Sequence, residues 1–203
     1  MNRIARPESP PPLILGIGGT PRPGSTSERA LRHVLARARE LGARTELLTG
    51  PQLLLPIYVP EVGERDAAVG RLVAALRRAN GIIVASPGYH GSLSGLVKNA
   101  LDYAEDLRDD RPPYFEDRAV GLIVCATGWQ ATGATLAALR SIVHALRGWP
   151  TPLGVAINTS ECHFDEEDRP SIPATERQLA TLAAQVVRFA EQRAAWEACA
   201  PTA

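Results

Sequence analysis

The stretch GIIVASPGYHGSLSGLVKNALD, residues 81–102, carries the reading of the fold. Gly81 to Ala85 is an unbroken apolar run, the pattern of a strand covered on both faces of a parallel sheet. It leads straight into SPGYHGSLSG, dense in Gly, Pro and Ser, which reads as a turn-rich loop. A helix is expected next, from about Leu93 to Leu107.

The same order recurs on both sides. Upstream, Leu13 to Gly18 reads as a first strand. Ala30, Leu31, Val34, Leu35, Ala38 and Leu41 mark a helix over about Thr26 to Leu41, stopped by Gly42. Thr45 to Leu48 is a plausible second strand. Pro51, Pro56 and Pro60 make the following segment an extended connection, and a helix over about Asp66 to Asn80 completes that half. Downstream, Ala119 to Cys125 is a fourth strand, Gly128 to Gly133 a loop and Ala134 to Arg147 a helix. Leu153 to Ile157 is a fifth strand, and Ala174 to Glu197 a long terminal helix. Strand and helix alternate five times with no hairpin signal, which predicts an α/β fold: a five-stranded parallel sheet, doubly wound, with helices on both faces in three αβα layers. Ligands of such sheets bind beyond the carboxyl ends of the strands, where strand order reverses. The loops after the first, third and fourth strands should therefore converge, with the acidic, less ordered stretch TSECHFDEEDRP lying after the fifth.

At 203 residues the chain suits one domain, expected over residues 13–197 between disordered tails at 1–12 and 198–203. Zero formal net charge removes the simplest electrostatic argument for nucleic acid or an anionic membrane and favours a small-molecule partner. Cys125, Cys162 and Cys199 lie far apart without zinc-site spacing, which fits a reducing cytoplasm. No apolar run approaches the roughly 20 residues that span a bilayer, and MNRIARPESPPP lacks a signal-peptide core.

The first loop, Gly18 to Ser27, offers backbone N–H groups, four hydroxyls and the guanidinium of Arg22 beside a helix N-terminus, a donor set suited to phosphate. The plainer reading is an ordinary turn with Ser27 capping the helix. Gly16-x-Gly18-x-x-Pro21 lacks the third glycine of a dinucleotide fingerprint, and no P-loop lysine follows. Gly91-Ser92-Leu93-Ser94-Gly95 has Leu where a nucleophile elbow needs Ser, and Cys162–His163 has no third group to orient it. The run Asp165 to Asp168 reads as solvated surface.

Together the first two loops resemble those of the NADPH-dependent FMN reductases, a flavodoxin-like family with related quinone, azo and chromate reductases. The first resembles G-S-x-R-x-x-S-x-[NS]; the second, with Leu96 to Asp102, resembles S-P-E-Y-N-G-S-x-P-G-x-L-K-N-A-[IL]-D. Leu55-Pro56-Ile57-Tyr58 is similar to the family's L-P-x-Y segment. The resemblance implies that Thr20, Arg22, Ser25, Thr26 and Ser27 hold the phosphate of FMN. It places Pro87, Gly88, Tyr89, His90, Gly91 and Ser92 along the isoalloxazine ring, and Thr127, Gly128 and Trp129 in a third, glycine-containing flavin loop. Gly88 stands where the family has Glu, which puts a tetramer in doubt. His90 replaces Asn and either alters hydrogen bonding near the flavin or points to solvent. Trp129 either stacks beside flavin or nicotinamide or fills a subunit interface.

By the same resemblance NADPH or NADH passes hydride to flavin N5, and a small-molecule acceptor such as free flavin, a quinone, or an azo or nitro compound takes it on. No catalytic acid or base is obligatory, because the cofactor carries the chemistry. The rival readings are a flavin-binding electron carrier and a non-catalytic flavin sensor. A homodimer through the helices 93–107 and 134–147 is implied. Lys98, the sole lysine, is expected to reach an acidic group on another helix or subunit.

Overall fold

The computed structural model describes residues 10–60 and 63–199. Among them, five strands run parallel: β1 (Leu13–Gly18), β2 (Arg44–Thr49), β3 (Gly81–Tyr89), β5 (Ala119–Ala126) and β6 (Trp149–Asn158). The two-residue β4 (Ser92–Leu93) pairs antiparallel with the end of β3. The helices are α1 (Thr26–Glu40), α2 (Ala67–Arg78), α3 (Gly95–Asp102), α4 (Trp129–Ala145) and α5 (Pro173–Glu197). The parallel strands lie in the order β2-β1-β3-β5-β6, so strand order reverses between β1 and β3.

Alternation along the strands sorts their side chains into two cores. Leu15, Ile17, Ile82, Val84, Leu122 and Val124 pack with α2, α3 and α4. Ile14, Ile83, Ala85, Ile123, Val155 and Ile157 pack with α1 and α5. Both faces of the sheet are thereby covered, which is why β3 and β5 read as continuous apolar runs. No helix among the described residues is long and apolar enough to cross a membrane.

The helix ends are closed by side chains. Ser25 Oγ accepts from Glu28 N–H at the start of α1, Asp66 Oδ1 from Ala68 and Val69 N–H at α2, and Ser94 Oγ from Val97 N–H at α3. At the far end of α2 the buried Arg118 guanidinium donates to Leu76 O at 2.6 Å, a cation against the negative end of the helix. Burial pulls the pKa of that guanidinium down. His33 on α1 is buried, with Nε2 2.7 Å from Glu176 Oε2 on α5.

Several elements depart from the sequence expectation. The segment after the third strand is not a loop: β3 continues through Tyr89, in register with β5 as far as Pro87 opposite Cys125, and folds back into β4. His90 (φ 51) and Gly91 (φ 85) form the turn, and positive φ at both central positions is the mark of a type I′ hairpin. The hairpin signal was hidden because His stands where Asn or Gly usually announces it. That hairpin delays α3 to Gly95, and Tyr103 to Leu107 tighten into a 3-10 turn. The helix expected from Ala134 begins at Trp129, with Gly133 inside it, because Gly128 (φ 105) makes the turn alone and gives its N–H to Asn158 Oδ1.

Strand β6 begins four residues early, at Trp149, despite Pro150 and Pro152. It is an edge strand with a bulge opposite Val120 to Leu122, where missing N–H donors cost no ladder bonds. Arg140 donates to Thr151 O and Pro152 O, and Gln185 accepts from Leu153 N–H. Ser25, not Ser27, caps α1. Lys98 reaches Asp102 on its own helix at 2.5 Å, so within the chain its expected pairing with another helix is replaced by the i,i+4 pair. The expected tails at 1–12 and 198–203 lie largely outside the described residues; Pro12 O accepts from Arg44 N–H.

Gly18 ends β1 with φ 143, and a Cβ there would stand 1.8 Å from Ala85 O on β3. The next amide, Gly19 N–H, donates to that same oxygen at 3.1 Å. Gly18→Ala must push β1 and β3 apart at Ala85. A loss of about 3 kcal/mol in unfolding free energy is expected from urea titration, the size of a forced backbone rearrangement. An unchanged midpoint would contradict this close approach.

Candidate functional site

The carboxyl ends of β1, β3 and β5 surround a cavity of about 450 Å³. The first loop contributes Thr20, Arg22, Ser25, Thr26 and Ser27; the end of β3 and its hairpin contribute Pro87, Gly88, Tyr89 and His90; and Thr127 follows β5. The structure thus brings ten of the expected site residues to one place. Gly91, Ser92, Gly128 and Trp129 do not line it. Gly91 and Ser92 build the hairpin behind the wall, and Gly128 shapes the turn into α4. Trp129 is 58% exposed and turns away to donate its indole N–H to Glu161.

Four further residues line the cavity: Cys125, Ala126, Ala131 and Thr159. Thr159 follows β6 and Cys125–Ala126 end β5, so the rule that ligands gather beyond carboxyl ends could have found them. Ala131 was missed because α4 starts earlier than expected. The segment after the fifth strand is also less separate than expected. Thr159 Oγ1 lies 3.2 Å from Thr127 Oγ1, and Arg29 ties the first loop to this segment through Gly24 O, Asp165 O and Asp168. Asp165 itself is tied into a tight turn by Arg169. Hydrogen bonds from the Arg169 backbone, then from its guanidinium, hold the Asp165 carboxyl below its usual range.

The first loop is shaped to leave donors free. Thr20 Oγ1 accepts from Arg22 N–H and Ser25 Oγ from Glu28 N–H, whereas Thr26 and Ser27 N–H, in the first turn of α1, have no acceptor among the described residues. Arg22 makes no ion pair among the described residues, and no carboxylate lines the cavity there. Two free amides at the positive end of a helix, with an uncommitted guanidinium beside them, fit a phosphate. On the opposite wall, burial pushes the Cys125 thiol far above its ordinary pKa, with nearby Cys162 adding to the shift, so Cys125 stays neutral.

Gly88 is fixed by packing. A Cβ there would meet Thr135 Oγ1 at 2.9 Å and Ala126 Cβ at 3.1 Å, so the Glu found at this position in the resembling family has no room. Asn158, almost fully buried, joins the two later loops: its Oδ1 accepts from Gly128 N–H and from Ser160, and its Nδ2 donates to Glu161.

Comparison with known proteins points to one family. Residues 12–161 match the family model for NADPH-dependent FMN reductase. Over 120 residues the chain is 33% identical to the FMN-dependent NADPH-azoreductase of Staphylococcus aureus; the match covers 59% of this chain and spans 60% of that relative's length. Among solved structures it is similar to FerB, a flavoenzyme NAD(P)H:(acceptor) oxidoreductase from Paracoccus denitrificans, with a TM-score of 0.73, 19% identity, and coverage of 90% of this chain and 98% of that one. The flavodoxin, WrbA-like protein from Agrobacterium tumefaciens aligns with a TM-score of 0.62 and 17% identity over 90% and 99% of the two chains. At such identities the structural likeness speaks for the fold alone, which is flavodoxin-like. Because the family model runs from the start of β1 past the end of β6, through all the loops around the cavity, the chain belongs to the NADPH-dependent FMN reductase family.

Proposed function

We propose that this protein is an NAD(P)H-dependent flavin oxidoreductase that holds FMN at the β1–β3 reversal and serves transfer of a hydride from NADPH or NADH to a small-molecule acceptor. One observation carries the reading: the hydroxyl-rich first loop with its free Arg22 and the hairpin at the end of β3 meet on one cavity at the topological switch point. A volume of about 450 Å³ suits a cofactor-sized ligand.

FMN, when bound, supplies the hydride chemistry; the chain supplies binding and orientation. Arg22 would oppose the phosphate charge, with Thr26 and Ser27 giving their free amides. Ser25 Oγ accepts from Glu28 N–H and so keeps its own proton to donate. Thr20 would turn its hydroxyl from Arg22 O to reach the same group. Pro87, Gly88, Tyr89 and His90 form the wall for the ring, stiffened by the hairpin that Gly91 and Ser92 close. Thr127 and Thr159 face them with hydroxyls, and the neutral Cys125 adds no charge. The likeness to an azoreductase favours azo compounds among the small-molecule acceptors.

A homodimer belongs to the same proposal. A cleft of about 550 Å³ beside α3 and α4 is lined by Leu101, Ile142 and Leu146 together with charged side chains between Lys98 and Asp109. Beside it Leu54, Ile57 and Val59 are exposed, on a segment pinned by Asn99 and Tyr103. These apolar surfaces support assembly through the two helices. The three free cysteines support a cytoplasmic setting.

Purified protein should be yellow with bound FMN, and anaerobic mixing with NADPH or NADH should bleach it rapidly. Bound flavin that stays oxidised would indicate a carrier or sensor instead. Arg22→Ala should weaken FMN binding by about 1.5–3 kcal/mol, the worth of a charge-assisted hydrogen bond, and leave riboflavin binding unchanged. Equal FMN affinity in the variant would remove Arg22 from the site. Sedimentation at micromolar concentration should show a dimer; an active monomer would overturn the assembly.

A further inference from the structure

Behind the first loop sits a carboxylate that the donor set described above does not use. Glu28, at the third position of α1, is 4% exposed. Its Oε2 accepts from Gly24 N–H at 3.0 Å, and its Oε1 from Arg32 Nε and Nη2 at 3.1 and 2.5 Å. Gly24 has φ 69, so Glu28 fixes the turn that delivers the chain into the helix. The Gly24 amide would otherwise be a natural donor to an anion at this helix start, and a carboxylate already holds it.

We propose that Glu28 is a specificity-determining residue of the flavin site, setting how tightly the phosphate end is held. This rests on the reading that FMN occupies the cavity. Glu28 acts in two ways. It withdraws one backbone donor from the phosphate, and it places a negative charge one turn along α1 from Ser25 and Thr26, where a dianion is expected. Arg32 offsets that charge incompletely, because its half-exposed guanidinium is screened by water while the Glu28 carboxylate is buried. The loop is thus held in shape by a group that opposes its ligand, which favours exchangeable over permanent FMN.

The argument concerns the phosphate alone, so riboflavin, which shares the ring and ribityl chain but lacks phosphate, is the internal control. FMN and riboflavin are titrated against the full chain, freed of flavin, as wild type, Glu28→Gln and Arg32→Gln, with melting temperatures recorded for each. Glu28→Gln retains an oxygen for Gly24 N–H and removes the charge; it should bind FMN about fivefold more tightly, the scale of one charge at intermediate dielectric. Arg32→Gln leaves the carboxylate uncompensated and should loosen FMN about threefold by the same reasoning. Riboflavin affinity should stay within about twofold in both, having no charge to sense. Opposite shifts for FMN at constant riboflavin affinity cannot come from general loosening of the helix start. The proposal is overturned if FMN and riboflavin shift together, or if neither variant changes their ratio. Wild-type protein that binds neither flavin would refute the cofactor reading itself, a result distinct from an unchanged ratio.

Discussion

The molecule depends on one contact without side chains, the approach of Gly18 to the carbonyl of Ala85. Neighbouring parallel strands sit at a fixed spacing set by their hydrogen bonds, and here β1 stops while β3 runs on. For the first loop to leave β1 and reach α1, the chain must pass the middle of β3, at Ala85, at a distance that only hydrogen atoms tolerate. The Gly19 amide then fastens the crossing to Ala85. Everything that lines the cavity is placed relative to that junction: α1 and its free amides on one side, the β3 hairpin on the other.

A second consequence follows for charge. The hydroxyls and amides of the first loop, with Arg22, face an interior wall built by Pro87, Gly88, Ala126 and Ala131, and among the described residues no acid enters. The acids near the loops are engaged elsewhere, Asp168 by Arg29 and Glu161 by Trp129 and Asn158. Glu28 is engaged too, but just beneath the loop. The positive bias of the cavity arises by diverting carboxylates rather than by accumulating cations, which suits a chain of zero net charge.

Much of this was readable from residue order. The apolar runs at Leu13, Gly81 and Ala119 gave strands, because burial on both faces leaves no alternation to confuse with a helix. The first-loop residues and Pro87 to His90 were read from donor chemistry and resemblance, and the structure gathers them. What sequence concealed lay where tertiary context overrides local preference. His90 hid a hairpin: it takes the positive φ of a type I′ turn without the Asn-Gly or Asp-Gly pair that usually announces one. Gly133 hid the first turn of α4, and Pro150 and Pro152 hid the start of β6, because each residue weakens an isolated element yet is tolerated once neighbours take up its backbone groups. Nothing in residue order marks Glu28; only its burial and its bond to Gly24 set it apart.

The outer border of the sheet carries a different implication. On β6 two residues have no amide hydrogen to offer, the carbonyls of Thr151 and Pro152 are occupied by Arg140, and the Leu153 amide is occupied by Gln185. A foreign strand sliding alongside would find these groups already taken, and the local bulge would throw it out of step. Growth of the sheet from molecule to molecule, the first step toward fibrous aggregates, is opposed at the start of this border by its own backbone chemistry.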